Sequence, residues 1–129
     1  PYLAQVQTAR LRELLVAGAI GRVNLIRSSF GITSADPANI RLSPTLGGGA
    51  LLDAGSYAVS LIRIVAGERP ARVHATARFA DNGVDLTTVA TIAFASGLLA
   101  QMSCSFETGY HRHALIAGDG GVIETNFLN

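Results

Sequence analysis

The chain has 129 residues, which is enough for one domain built around one hydrophobic core. Because 49% of the residues are hydrophobic and only 15% are charged, we expect part of the surface to pack on a second domain or subunit. The formal net charge of +1 gives no reason to expect nucleic acid or an acidic membrane as a partner, and the absence of lysine excludes a Schiff-base lysine and a P-loop within this chain.

The first half of the chain is predicted to form two helices and one strand. Apolar residues recur at helical spacing near the N-terminus: Leu3, Val6, Leu11, Leu14 and Leu15. Gly18 is expected to end this helix, and Val23 to Thr33 to form a long strand. Asp36-Pro37 opens a loop, and a second helix is predicted over about Ala50 to Ala66, ended by Gly67. Its predicted core residues are Ala54, Ala58, Leu61, Ile62 and Val65.

After Pro70 the apolar period changes to two residues, which is typical of strands. The alternation runs through three stretches, which are Arg72–Phe79, Asp85–Phe94 and Leu98–Glu107, with turns at Asp81-Asn82-Gly83 and Ser96-Gly97. A further strand is expected at about His113 to Ala117, and a short one from Val122. This order predicts an α+β fold: an open, mainly antiparallel sheet with two helices packed on one face. The other face, rich in Thr and Ser, is expected to pair with a copy of itself.

The most informative segment runs from Leu46 to Tyr57, where the glycines Gly47, Gly48 and Gly49 lead into a helix. Glycines allow a ligand or another segment to approach the backbone closely, although a plain tight loop needs them equally. Asp53 and Tyr57 are four residues apart and are expected on one helical face, where a carboxylate and a phenol can hold a hydroxylated molecule and relay a proton. The alternatives are a first-turn carboxylate satisfied by the helix dipole and a rim tyrosine on a core helix. Arg41 either faces a substrate or cofactor phosphate or forms a surface ion pair.

The remaining reactive side chains have simpler interpretations. His111 and His113 have strand spacing but no evident third ligand, so a solvated edge strand is favoured and no metal is expected. His74 is predicted to lie at the surface or an interface, and Tyr110 in a loop that can line a pocket. Cys104 has the apolar register of a core residue; as a lone cysteine it excludes a disulfide and fits a reducing, cytoplasmic location.

Three segments together resemble the C-terminal domain of the glucose–fructose oxidoreductase / inositol dehydrogenase / rhizopine catabolism family. They are Gly18-Ala19-Ile20-Gly21-Arg22-Val23, Asp36-Pro37 with Arg41-Leu42, and the glycine-rich D-x-G-x-[HY] segment from Leu46 to Tyr57, which is the specific one. The resemblance covers residues 1–129 and implies a substrate-binding and oligomerisation domain that follows a Rossmann domain binding NAD or NADP. No Gly-x-Gly-x-x-Gly follows a strand here. Since the chain also lacks an initial methionine, we expect it to be a piece of a longer protein.

The resemblance implies roles for individual residues. Asp53 matches the position that binds substrate hydroxyls, with Arg41 as a further substrate-binding candidate, and Tyr57 is the catalytic candidate. Inositol dehydrogenase-like members have histidine at the position of Tyr57, whereas glucose–fructose oxidoreductase, xylose dehydrogenase and dihydrodiol dehydrogenase-like members have tyrosine. The family's catalytic lysine lies in a Glu-Lys-Pro segment just before this domain, in agreement with the absence of lysine here.

The expected function is therefore that of an NAD(P)-dependent oxidoreductase. The full-length enzyme is expected to transfer hydride between nicotinamide and a sugar, polyol or cyclic alcohol, with this piece inactive alone. Two rival hypotheses are a non-catalytic ligand sensor or scaffold with the same fold, and a free-standing dimerisation module. A membrane span is not expected, because the apolar stretch Ala50 to Ala66 carries Asp53 and Arg63.

Overall fold

A computed structural model describes residues 4–34, 36 and 38–126 of the chain. Helix α1 (Val6–Val16) precedes strand β1 (Val23–Thr33), and helix α2 (Ser56–Ala66) continues directly from a π-helical turn at Leu51–Gly55. Five strands complete the fold: β2 (Pro70–Phe79), β3 (Asp85–Phe94), β4 (Leu99–Ser105), β5 (Glu107–Gly118) and β6 (Val122–Thr125). The predicted element order is confirmed, with β6 as the additional short strand.

The strands form one six-stranded sheet in the order β2-β3-β4-β1-β5-β6. All neighbouring pairs are antiparallel except β1 and β4, which run parallel. The first strand therefore lies inside the sheet, between two strands that follow it by more than sixty residues. The α+β prediction of an open, mainly antiparallel sheet is confirmed.

Strand registers divide the sheet into a covered face and an open face. The covered face carries the buried core side chains: Ile26, Ala100, Met102, Cys104, Ala114 and Ile116. Leu61 and Ile62 of α2 pack on it, as predicted, and Leu11 of α1 joins the same core. Gly55 permits this approach, because a Cβ there would lie 3.0 Å from Cys104 Sγ. The π-helical turn is thereby held directly against β4.

Three local predictions are wrong. Val6 is 87% exposed, and Thr8 takes the buried place on α1 beside Leu11; Leu3 lies outside the described residues. The fourth long strand begins at Glu107 instead of near His113, and it lies between β1 and β6, so it is not an edge strand. Its first four residues are exposed and the next two are only half-buried, and for this reason they show no apolar alternation.

The helical stretch Pro44–Ala66 has a mean hydropathy of 1.4. Judged by length and composition only, it is long and apolar enough to cross a membrane. The covered face of the sheet accounts for this apolar character, since Ala54, Ala58 and Leu61 within the stretch are fully buried there. Its N-terminal part is interrupted by Gly47, whose backbone has a left-handed conformation with φ of 72°.

Candidate functional site

The loop before the π-helical turn is fixed by its own backbone hydrogen bonds. The Asn39 side chain accepts from Arg41 N at 3.0 Å and so begins a short 3₁₀ turn. Further along, Gly48 N donates to Ser43 O at 2.8 Å, and Gly49 N donates to Arg41 O at 2.9 Å. The glycines therefore fold back onto the segment that carries Arg41.

Two of the glycines are required by close contacts. A Cβ at Gly48 would lie 2.5 Å from the carbonyl oxygen of Arg41 and 2.7 Å from that of Ser43. Gly49 has a φ of 133°, a conformation rarely adopted by other residues, and a Cβ at this position would clash with the carboxylate of Asp85. Both expectations for this loop, close backbone approach and a tight turn, are met together, but the approaching groups belong to the chain itself.

Asp85, at the start of β3, holds the beginning of the helix. Its Oδ2 accepts hydrogen bonds from Leu51 N at 2.8 Å and from Thr88 Oγ1 at 3.0 Å. The amide of Leu51 lies in the first turn, where helical amides have no acceptor within the helix. Sequence reasoning missed Asp85 because its role depends on a contact between residues 34 positions apart.

Asp53 and Arg41 form an ion pair beside the glycines. Arg41 Nε donates to Asp53 Oδ2 at 2.7 Å, and the two side chains are 43% and 36% exposed, respectively. They line an open cavity of about 180 Å³ together with Gly47, Gly48 and Gly49. Of the two alternatives for Arg41, the structure shows the ion pair. The pairing leaves both groups accessible to a ligand in the cavity.

Tyr57 lies one turn after Asp53, at the start of α2. Its ring meets Phe30 of β1 edge to face, with ring centroids 5.9 Å apart, and the side chain remains 37% exposed. Ser56 Oγ donates to the Asp53 carbonyl oxygen at 2.8 Å, which satisfies an acceptor in the widened turn. Within the described chain no hydrogen bond links Asp53 with Tyr57, so each is held by a different partner.

The three histidines lie apart from this site. His74 is exposed on β2, and His111 Nδ1 is 2.9 Å from the carbonyl oxygen of Gly109. His113 Nε2 is 3.8 Å from a carboxylate oxygen of Glu124 on the neighbouring strand. Among residues 4–34, 36 and 38–126, no three His, Cys, Asp or Glu side chains are grouped closely enough to hold a metal ion.

Two other predictions concern Cys104 and Tyr110. Cys104 is a buried core residue, as predicted, and burial together with the charge of Asp85 raises the pKa of its thiol to about 11. Tyr110 is not in a loop but in β5, where the Arg112 guanidinium lies 5.1 Å from the centre of its ring.

The profile of the GFO/IDH/MocA C-terminal domain matches residues 8–124. The chain belongs to the GFO/IDH/MocA family. The predicted resemblance is thereby confirmed, and the glycine loop with Asp53 and Tyr57 lies within the matched range.

Named relatives of this GFO/IDH/MocA domain include two dehydrogenases. Trans-1,2-dihydrobenzene-1,2-diol dehydrogenase from Danio rerio is 35% identical over 115 residues, which cover 88% of this chain and 34% of that protein. D-xylose 1-dehydrogenase (NADP(+)) 2 from Haloferax volcanii is 36% identical over 121 residues, 92% of this chain and 37% of that protein. The chain therefore spans about a third of the length of these curated relatives.

The fold of the GFO/IDH/MocA domain is also found in solved structures. Aldose-aldose oxidoreductase from Caulobacter crescentus, complexed with glycerol, superimposes with a TM-score of 0.87 at 27% sequence identity. The match covers 95% of this chain and 38% of that one. The names of the two curated relatives agree with the dehydrogenase branch indicated by Tyr57.

Proposed function

We propose that this chain is the substrate-binding domain of an NAD(P)-dependent oxidoreductase that acts on a sugar, polyol or cyclic alcohol. Two relatives named as dehydrogenases, one of a cyclic diol and one of D-xylose, support this assignment. The observation that carries it is the arrangement at the beginning of α2. There a carboxylate is held by an arginine beside an open cavity, one turn before a partly exposed phenol.

In this proposal Asp53 accepts hydrogen bonds from substrate hydroxyl groups. Arg41 engages only Oδ2 of Asp53, so the other carboxylate oxygen is available to an incoming hydroxyl. Arg41 also fixes the orientation of the carboxylate, which reduces the entropy lost when substrate binds. Tyr57 orients the reacting hydroxyl and relays its proton, since a phenol both donates and accepts hydrogen bonds.

The cavity that Asp53 and Arg41 line is too small to hold a nicotinamide dinucleotide. The cavity beside the glycines measures about 180 Å³, whereas cofactor pockets are typically about 300–1,000 Å³. The sequence also contains no lysine. We therefore assign the nucleotide, the hydride acceptor and the catalytic lysine to an N-terminal Rossmann domain of the same polypeptide.

A reducing compartment such as the cytoplasm suits the unpaired thiol of Cys104.

The test uses the full-length protein with a panel of sugars, polyols and cyclic diols and with both NAD and NADP. Tyr57→Phe removes only the hydroxyl and is expected to lower kcat by about 100-fold or more, the usual contribution of a positioned proton donor or acceptor. Asp53→Asn is expected to raise KM. Asp81→Asn, which changes an exposed carboxylate in the β2–β3 turn, serves as the matched control and should leave both constants unchanged.

The outcomes separate the proposal from its rivals. Ligand binding without turnover by the wild-type protein would favour a sensor or scaffold. Turnover that is identical in wild type and Tyr57→Phe would contradict the role of Tyr57 and favour a module without a catalytic contribution.

We also propose that the open face of the sheet is an interface between copies of the chain. Leu99 and Val89 are 55% and 50% exposed on this face, and two shallow cavities of about 360 and 400 Å³ lie along it. Wild-type protein is expected to sediment as an oligomer, and Leu99→Arg as a monomer. Val16→Arg, at an apolar position of α1 that is 90% exposed, should sediment like wild type. A monomeric wild type would contradict the proposal.

A further inference from the structure

Arg112 in β5 is a half-buried cation whose position the proposed function leaves unexplained. Its Nε atom is buried and has no hydrogen-bond partner. Within the described part of the chain, its guanidinium makes no hydrogen bond or ion pair, and its contact is with the ring of Tyr110. A buried donor without an acceptor is costly, and more so when it belongs to a charged group.

Arg112 lies in a row of side chains that leads to Tyr57. Arg112 is the direct register partner of Phe30, and paired residues of an antiparallel ladder project from the same face. Phe30 in turn meets the Tyr57 ring, and Tyr110 is two residues from Arg112 along β5, so it shares that face. We call Phe30, Tyr57, Tyr110 and Arg112 the Arg112 cluster.

Two carboxylates on the segments that carry this cluster are already paired. Glu107, five residues earlier on β5, accepts from Arg78 and from Thr87. Asp53, one turn before Tyr57, is bonded to Arg41. Within the described chain no carboxylate forms an ion pair with Arg112.

The chemistry of the cluster specifies the missing group. A guanidinium presents planar N–H donors that match the oxygens of a carboxylate or a phosphate, usually two at a time. The stacked Tyr110 ring restricts the orientation of that plane. The rings of Phe30 and Tyr57 supply an apolar surface beside it, which suits the ring of a sugar or cyclic alcohol.

We propose that Arg112 binds an anionic oxygen group of the substrate, a carboxylate or a phosphate, while the aromatic rings of the cluster contact its ring. This inference rests on the proposed function and deepens it: the substrate is a sugar or cyclic alcohol that carries a negative charge. The relatives are named for an uncharged diol and an uncharged sugar, so Arg112 would be a specificity-determining residue.

The test measures steady-state kinetics of the full-length protein on matched sets of substrates. Each set contains a neutral hexose, its uronate and its 6-phosphate, for D-glucose, D-galactose and D-mannose, and each is assayed with NAD and with NADP. The wild type is expected to prefer an anionic member. Arg112→Met should raise the KM of that member by about 10- to 100-fold, the range for loss of a charged hydrogen bond, with little change in kcat. The uronate and phosphate arms identify which anion is bound.

Two variants serve as controls. Arg112→Lys keeps the charge without the planar donors and should restore part of the preference. Arg12→Met removes an exposed arginine of α1 and should change no kinetic constant. A wild type that prefers neutral hexoses overturns the inference and leaves the proposed function standing. Equal losses on neutral and anionic members, or a lower Tm with unchanged preference, assign Arg112 to the fold and also overturn it.

Complete absence of turnover would contradict the proposed function, and the inference about Arg112 then needs a different measurement. In that case, thermal shift of the same protein with the uronates and 6-phosphates decides the inference. Stabilisation by an anionic member that is lost in Arg112→Met supports it, and no stabilisation of the wild type overturns it.

Discussion

Removal of the Asp85 carboxylate is expected to destabilise the domain by releasing the beginning of the helix that carries Asp53. Asp85 Oδ2 is the shared acceptor for Leu51 N and Thr88 Oγ1. Asp85→Ala leaves the first-turn amide without its acceptor and leaves the buried Thr88 hydroxyl without its partner. The glycine loop loses the same support, because Gly49 packs against this carboxylate.

The magnitude follows from the two hydrogen bonds. Loss of a helix cap costs about 1 kcal/mol, and a buried hydroxyl without a partner costs about 1–3 kcal/mol. Asp85→Ala should therefore lower the free energy of unfolding by about 2–4 kcal/mol, and the Tm by about 4 °C per kcal/mol for a chain of this size. Asp85→Asn keeps one side-chain oxygen, which can accept from both donors as Oδ2 does, so its cost should be smaller than that of Asp85→Ala.

The assay is urea unfolding of the chain followed by far-UV circular dichroism, with Asp81→Ala as the control. That substitution removes an exposed carboxylate four residues earlier and should change stability by less than about 0.5 kcal/mol. Equal stability of Asp85→Ala and Asp81→Ala would refute the capping role. A second readout is the thiol of Cys104: since the charge of Asp85 raises its pKa, Asp85→Asn should lower that pKa.

Three further predictions use the same structure. Gly48→Ala should lower the free energy of unfolding in urea more than Gly47→Ala does. A Cβ at Gly48 meets backbone atoms, whereas one at Gly47 meets nothing within 4 Å, so Gly47→Ala costs only about 1–2 kcal/mol for the left-handed conformation. Equal costs would contradict the contact at Gly48. Cys104, with a thiol pKa of about 11, should be alkylated at about pH 8 at least about 100-fold more slowly in the folded chain than in urea, and comparable rates would show that the thiol is accessible. The pKa of Glu107 is held below its usual value mainly by the hydrogen bond from Arg78. The stabilisation from ionised Glu107 is therefore present above the ordinary glutamate pKa and is lost as the pH falls through the lowered pKa. Glu107→Gln should be less stable than wild type at neutral pH and equally stable in acid. A stability difference that does not change with pH would exclude the Arg78–Glu107 pair as its cause.

The fold class was predictable because periodicity reports which residues share a face. The helical stripe of Ala54, Ala58, Leu61 and Ile62 and the two-residue alternation after Pro70 depend only on local geometry, and both are found. Strand order was not predictable in this way. The insertion of β1 beside β4 depends on register between Leu25 and Leu99, and no local pattern encodes a pairing across 74 residues.

The candidate site likewise contains residues that local spacing could predict and residues that only the fold brings together. Gly48, Gly49, Asp53 and Tyr57 lie within ten residues of one another, so their spacing could be interpreted without knowing the fold. The residues that hold them come from elsewhere in the chain. Asp85 arrives with the sheet, and its importance depends on a 2.8 Å contact with Leu51 that exists only after β3 has paired.

The wrong prediction for β5 has an informative physical cause. Apolar alternation marks a strand only where one face is covered, whereas residues 107–110 are exposed and residues 111 and 112 are only half-buried. This stretch carries Tyr110 and Arg112, whose guanidinium makes no ion pair in the described chain. Arg112 pairs in register with Phe30, and the Phe30 ring contacts Tyr57. Because no hydrogen bond or ion pair of the described chain accounts for Arg112, the departure from the strand pattern supports the proposal that this corner of the sheet contacts a ligand.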